Sequence, residues 1–321
     1  MEHRVVFRGK GEVEVEPFEI GSPEEGQAKL RTLVSLMSTG TEGICLHRRF
    51  APGTHWDNWV KYPFYSGYCA VSVVEEDAEG FPAGTRVVSR TGHASAALVP
   101  VSRLYRVPEG MAPEDASWFA LAKIALVGAK AAGYGLGTPV LVIGAGPIGQ
   151  MSVRWAAAAG AGPVVVLDPV AARGEFALRG GADRALEIPV AGAKEAVTEA
   201  FGGRLPDVVI DTTGHAAVFA AATELVADKG RLVVLGDTGS PSEQCLTKEV
   251  INRGLTIAGA HDRQLPEIQE SYAPFFHLAQ KGRFPLDGLI THTFRGTEAP
   301  AAFELATDRR DETMGILFDW R

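Results

Sequence analysis

The chain has 321 residues, 46% hydrophobic and 22% charged, with a formal net charge of −8. That length exceeds one ordinary hydrophobic core and points to two domains of roughly 100–200 residues each. The acidic balance and the lack of a basic block argue against a nucleic-acid partner, and no apolar run reaches the roughly 18 residues needed to span a membrane. Residues 1–20 hold no apolar core of signal-peptide length. Cys45, Cys69 and Cys245 are widely spaced, with no Cys-x-x-Cys pair. They fit a reduced, cytoplasmic compartment better than a disulfide framework.

In chain order, residues 4–7 and 12–20 alternate apolar and charged side chains and predict a hairpin turning at Gly9–Gly11. Residues 28–36, 71–76, 86–89 and 96–101 predict further strands, and residues 40–66 read as irregular. The character changes near Pro113, and residues 114–134 read as helical. Strands then alternate with helices. Strands are predicted over 139–143, 164–167, 186–188, 207–211, 231–235 and 255–258. Helices are predicted over 148–159, 171–180, 192–201 and 215–227. Such alternation implies a parallel sheet covered on both faces and doubly wound. Beyond Leu265 the pattern is a helix to about Gln280, a strand over 288–294, a helix over 298–306 and a last strand over 315–319.

The principal motif is Gly144-Ala-Gly146-Pro147-Ile148-Gly149, directly after an apolar strand and directly before a helix. Gly144 permits the tight turn, Gly146 lets a pyrophosphate approach the backbone, and Gly149 lets the helix pack close on the strand. The helix start offers N–H groups and partial positive charge to phosphates. Asp168 ends the next strand, 24 residues after Gly144. A carboxylate there accepts hydrogen bonds from an adenine-ribose 2′-hydroxyl and repels a 2′-phosphate. NAD is therefore expected ahead of NADP, although Arg173 stands close enough to bind a ribose hydroxyl or to offset that repulsion. Thr213, Gly236 and His261, which follow later strands of the same sheet, complete the expected coenzyme set.

With these residues in view, the chain resembles the medium-chain dehydrogenase/reductase superfamily, relatives of zinc alcohol dehydrogenase. The stretch Leu286-Asp-Gly-Leu-Ile-Thr-His-Thr-Phe294, followed by Ala302-Phe-Glu-Leu, adds specificity beyond the glycine motif. The resemblance implies an α/β fold: a strand-rich GroES-like catalytic domain over 1–118 and 265–321, and a doubly wound NAD-binding Rossmann domain over 119–264. It also implies a small-molecule substrate and a homodimer or homotetramer built through an edge strand such as 255–258. The family's catalytic zinc ligands are not matched. Their positions fall on Thr39 or Ser38, on Tyr68, and near Phe119, so no zinc is expected. An unconventional set drawn from Cys45, His47, His55, Cys69 and His93 stands as the alternative. The Ser38-Thr-Gly-Thr-Glu42 segment with Gly67-Tyr68 is similar to a branch that includes bacteriochlorophyllide hydroxyethyl dehydrogenases.

Without a metal, alcohol chemistry needs hydrogen-bonding groups and a base. Thr41 falls on the family's proton-relay position, or else caps a turn. Tyr68 takes a ligand's place, and its phenol would face the substrate or merely fill space. Lys123, in an otherwise apolar helix, is a candidate acid or base beside the nicotinamide, or else a surface lysine. Glu42 matches an acidic position that is often structural. In the loop 47–62, His55, Trp56 and Trp59, with Thr39 nearby, are candidates to contact substrate, the aromatic rings by stacking on a sugar. The bland alternative for that loop is a subunit contact. His93 reads as a satisfied turn histidine. The leading expectation is a zinc-independent, NAD(H)-dependent oxidoreductase acting on a secondary alcohol or ketone of a polar, sugar- or cyclitol-like substrate. The alternatives are an NADPH-dependent enone or quinone reductase and a non-catalytic dinucleotide sensor.

Overall fold

In the computed structural model, which describes residues 1–321, the chain forms two compact units. The first comprises Met1–Leu121, Glu267–His277 and Asp287–Arg321; the second comprises Ala122–Pro266 and Leu278–Leu286. The class is α/β, with a mixed sheet in one unit and a parallel sheet in the other. No helix is long and apolar enough to cross a membrane.

The first unit opens with the antiparallel hairpin Glu2–Gly9 and Glu12–Phe18. Its main sheet has seven strands. The order is Ile290–Arg295, Gly315–Asp319, Gln27–Leu36, Ala70–Val74, Arg86–Ser89 and Tyr105–Arg106, with Ala96–Pro100 also paired to Gln27–Leu36. Only the pairing of Ile290–Arg295 with Gly315–Asp319 is parallel. The C-terminal segment thus adds two strands to a sheet begun near the N-terminus. Val5, Phe7, Met37, Trp56, Phe303 and Phe318 share one buried cluster of this unit.

The second unit holds six parallel strands. Their order is Arg184–Leu186, Val164–Leu167, Val140–Ile143, Val208–Asp211, Arg231–Val234 and Thr256–Gly259. The strands are apolar at successive residues because both faces are covered. Val140 and Val142 pack with Val127, Val153 and Ala156 on one face. Leu141 and Ile143 pack with Val197, Phe219 and Ala222 on the other. The chain winds outward in one direction from Val140–Ile143 and then returns to lay Val208–Asp211 on its other side. That reversal opens a crevice at the carboxyl ends of these two strands, the usual ligand position in such sheets.

Several local expectations are corrected. Residues 40–66 are not irregular throughout. Thr39–His47 is a helix and His55–Trp59 a short one. Gly40 and Gly43 weaken the sequence signal of the first of these. The helical stretch 114–134 is two helices, Pro113–Ala116 and Phe119–Ala132. The strand expected over 186–188 lies two residues earlier, at Arg184–Leu186, and the helix expected over 215–227 shortens to Ala216–Ala222.

The helix Pro147–Ala158 sits so close to its preceding strand that a Cβ on Gly149 would fall 1.9 Å from the Gly144 carbonyl oxygen. Gly149→Ala is therefore expected to cost about 3 kcal/mol through overpacking against backbone. Thermal unfolding should show a Tm lowered by roughly 5–10 °C; an unchanged Tm would mean that the helix can move away at no cost.

Candidate active site

In the second unit, the strand Val140–Ile143 ends in Gly144, whose φ of 88° belongs to the left-handed region. A Cβ there would meet Thr213 Cγ2 at 2.8 Å and Thr212 Oγ1 at 2.9 Å. The Thr212 hydroxyl stands 3.0 Å from the carbonyl oxygens of both Ile143 and Gly144, so it ties two adjacent strand ends together. Gly146 precedes the helix as its N-cap, Pro147 opens the first turn, and Ile148 packs partly into the core. The first-turn amides of Ile148 and Gly149 have no intrahelical acceptor. Unlike its neighbours, Gly146 has nothing within 4 Å of where a Cβ would stand. Open space beside unsatisfied amides and a helix start suits a pyrophosphate.

Asp168 is buried at the tip of the strand Val164–Leu167. Its Oδ2 accepts from the Ala145 amide at 2.7 Å, and its Oδ1 accepts from the Val170 amide at 2.9 Å. An ionised carboxylate carries about four acceptor sites, so each oxygen retains capacity for a ribose hydroxyl. Arg173 holds a terminal nitrogen 3.8 Å from Asp168 Oδ2. The residues present therefore fit a nicotinamide dinucleotide.

Thr213 is brought to this turn but spends its amide and hydroxyl on Asp211 Oδ1, at 2.9 and 2.7 Å. Asp211 is fully buried, its other oxygen has no partner, and burial pushes its carboxyl pKa upward. A Cβ on Gly236 would lie 2.2 Å from the Gly214 amide nitrogen, so Gly236 too is fixed by backbone crowding. His261 accepts from the Arg263 amide through Nδ1 at 3.2 Å and holds Nε2 3.7 Å from Asp237. Lys123 is not a surface lysine. It is buried, with Nζ 3.2 Å from Asp262 Oδ1, so a carboxylate balances its charge.

In the first unit, the strand Gln27–Leu36 runs through Met37 into the helix Thr39–His47, with Ser38 as N-cap. The Tyr68 hydroxyl donates to Ser38 Oγ at 2.5 Å and lies 3.4 Å from Thr41 Oγ1. Three hydroxyls therefore meet at the start of one helix. Burial of the phenol pushes the Tyr68 pKa well above its ordinary value, and the neighbouring hydroxyls offset this only in part. Thr39 is half-buried in the same first turn.

Glu42 supports this cluster from behind. Its Oε1 accepts from the Ser38 amide at 2.7 Å, and its Oε2 accepts from the Ser66 hydroxyl and lies 3.0 Å from His93 Nε2. His93 Nδ1 is 2.7 Å from Ser35 Oγ, which also accepts from Trp320 Nε1 at 3.0 Å. Next to an ionised Glu42, His93 Nε2 must carry the proton. Ser35 then donates to Nδ1 when the ring is neutral. A Cβ on Gly67, φ 103°, would strike the His93 amide and ring at 2.7–2.8 Å, so only glycine admits this histidine beside Tyr68. His93 thus has partners on both ring nitrogens, and Glu42 meets the hydroxyl cluster through the Ser38 amide.

The donor set does not suit zinc. Ser38, Thr39 and Tyr68 supply neutral hydroxyls, and Phe119 supplies no ligand atom. In the alternative set, three members are enclosed or otherwise engaged. Cys45 and Cys69 are fully buried, and burial, with the Glu42 charge, raises the Cys45 thiol pKa. His47 bonds Thr307 instead.

The loop residues separate. Trp56 does not offer a ring face: it is 4% exposed and packs in the core with Val5 and Phe7. Its apolar bulk outweighs its place in a charged segment. Trp59 is half exposed and stands edge-on to Phe64, and His55 is exposed beside Trp56. Sequence reasoning missed Ser38 as the acceptor of Tyr68. It also missed Arg90, whose guanidinium carbon lies 5.4 Å from the Tyr68 ring centroid. Its position just after a strand and before Gly92-His93 was the one available signal.

Residues 147–280 match the family model described as zinc-binding dehydrogenase. An L-threonine 3-dehydrogenase of Bacillus licheniformis is 29% identical over 207 residues, 64% of this chain and 59% of the relative. A sorbitol dehydrogenase of Bombyx mori is 28% identical over 205 residues, 63% and 57% respectively. The aligned stretch thus spans about six-tenths of the length of these curated relatives. Among solved structures, one described as a short chain alcohol dehydrogenase from Escherichia coli CFT073, complexed with NADH, superposes with a TM-score of 0.82. It is 20% identical and covers 99% of both chains.

The Glu42–His93 contact predicts an ordered series. His93→Phe leaves a buried carboxylate one donor short and should cost about 2–3 kcal/mol. His93→Gln keeps an N–H donor and should cost about half as much. Urea unfolding of the two variants checks this; equal losses would show that ring packing on Phe318, not the bond to Glu42, sets the cost.

Proposed function

We propose, for a chain whose family-model match and relatives support the zinc-binding dehydrogenase superfamily, a zinc-independent oxidoreductase that uses NAD(H) on a secondary alcohol or ketone of a polar substrate. The observation that carries this reading is the Tyr68–Ser38–Thr41 hydroxyl cluster, in which Tyr68 and Ser38 fall where the resemblance places metal ligands and Thr41 where it places a proton relay. The Gly144–Gly149 turn and Asp168 would hold the coenzyme, which supplies the hydride acceptor or donor. The chain's own residues would manage the proton.

In the reducing direction a substrate carbonyl oxygen takes the Tyr68 proton as hydride reaches the carbon. Ser38 and Thr41, both able to donate and accept, then relay a proton from water to the phenol. In the oxidising direction the alcohol loses its hydride from carbon and its proton from oxygen through the same hydroxyls to water. A phenol whose pKa is raised stays protonated through the neutral range. It therefore serves as a donor to a carbonyl, and as a base only late in the alkaline range. Lys123, neutralised by Asp262, would position the coenzyme rather than exchange the proton. The preference for NAD over NADP rests on Asp168, whose charge opposes a 2′-phosphate. The likeness to the bacteriochlorophyllide hydroxyethyl branch rests on the Ser38–Glu42 segment and Gly67-Tyr68 alone.

The test combines three readouts. NADH should bind at least about tenfold more tightly than NADPH, ~1.4 kcal/mol, in a fluorescence titration. Turnover of a sugar and polyol panel should survive a chelator. Tyr68→Phe should lower kcat/KM by about 10²- to 10⁴-fold. Loss of activity on chelation with recovery on adding zinc would refute the metal-free reading. Tight NADH binding with no turnover of any panel member would favour the sensor.

The phenol also fixes a pH signature. Ketone reduction should be nearly level from about pH 6 to about pH 9, because Tyr68 remains protonated throughout. Alcohol oxidation should keep rising across that range. A bell-shaped reduction profile centred near neutrality would place the proton on another group.

A further inference from the structure

Arg90 follows the strand Arg86–Ser89, and the pairing of Ser89 with Ala70 fixes it beside Tyr68. Its guanidinium carbon stands 5.4 Å from the Tyr68 ring centroid. The guanidinium is anchored. Nε donates to the Tyr272 hydroxyl oxygen at 3.3 Å, and a terminal nitrogen lies 3.3 Å from Glu267 Oε1. Glu267 is itself held, since its other oxygen accepts from Tyr272 and its backbone carbonyl accepts from Tyr105. Tyr105 and Tyr272 are buried, with ring centroids 4.6 Å apart.

This anchoring exceeds what an ordinary surface ion pair shows. Two buried tyrosines and a carboxylate fix one arginine, whose side chain remains 23% exposed. Holding an arginine in one conformation costs about 2 kcal/mol of rotamer entropy. Here that cost is met before any ligand arrives, which is how a preorganised anion-binding group is built. A carboxylate or phosphate gains charge-assisted hydrogen bonds from it. The chain's net charge of −8 repels anions at long range, so a local cation is what such a substrate would need.

We infer that Arg90 determines specificity by binding an anionic group, a carboxylate or a phosphate, on the substrate whose hydroxyl or carbonyl is held by Tyr68. The inference deepens the oxidoreductase reading and rests on it for the word substrate. Arg90 recognises the anion, Tyr68 serves the reacting oxygen, and Glu267 aims Arg90 while moderating its charge.

The experiment is a binding titration of the full chain with its coenzyme, using matched probes. Lactate is compared with propylene glycol, and glycerol phosphate with glycerol. The wild-type chain should bind at least one anionic probe about tenfold or more tightly than its neutral match. The arm that shows the preference separates carboxylate from phosphate. In Arg90→Gln the ratio of anionic to neutral affinity should fall to about one. In Arg90→Lys it should recover in part, and in Glu267→Gln it should rise. No anion preference in the wild type, or a ratio unaltered in Arg90→Gln, overturns the proposal. If Arg90→Gln fails to fold, the opposed shifts expected of Arg90→Lys and Glu267→Gln decide it, and a ratio unmoved in both overturns it. Failure of the oxidoreductase reading is separate: the anion preference would persist while no probe or panel alcohol reduces NAD.

Discussion

One contact constrains the second unit: a helix backbone laid against a carbonyl, with no room for a single methyl group between Gly149 and Gly144. Because the helix starts there, its first amides are delivered to the end of the strand Val140–Ile143, at the place where the sheet reverses direction. The turn's other features follow from that closeness. Gly144 takes a left-handed conformation to make the bend, and Thr212 closes the gap to the adjacent strand. Asp168 grips the Ala145 amide, so the group expected to recognise ribose also holds the loop that would hold the phosphates.

The first unit has a comparable keystone in Glu42. A carboxylate buried among Ser38, Ser66 and His93 receives three donors from parts of the chain far apart in sequence. It fixes the start of the helix Thr39–His47, and with it Ser38 and Thr41, against the strand that delivers Tyr68. Removing one donor from such a set leaves a buried carboxylate under-satisfied, which is why its cost exceeds that of an exposed pair.

What was legible from sequence depended on how local each interaction is. The glycine turn, the alternation of apolar strands and helices, and Asp168 at a strand tip involve neighbours or the next element. Their spacing carries the information. The Glu42–His93 pair joins residues 51 positions apart, and only the register of the intervening strands brings them together. Arg90 is in the same position, since its partners Glu267 and Tyr272 lie in another stretch of chain entirely. The helix Thr39–His47 was hidden by two glycines, its support coming from Glu42 rather than propensity. Trp56 was misread because His55 and Asp57 flank it with polarity, while its own ring faces inward.

On the proposed metal-free reading, hydroxyls in place of metal ligands change what the site can do to a proton. A bound zinc makes an alcohol acidic near neutrality. Ser38, Thr41 and Tyr68 carry no charge to offer, and burial makes the phenol still less willing to ionise. A cluster of this kind stabilises developing negative charge on oxygen by donating hydrogen bonds, as oxyanion-binding groups do, and not by withdrawing charge through a bond. A cation set against the same ring then matters twice. It would fix an anionic substrate in place, and its field would favour an alkoxide-like oxygen at the phenol. The geometry around Tyr68 is therefore coherent for a substrate that brings its own negative group, because binding and charge stabilisation are then supplied by one anchored arginine.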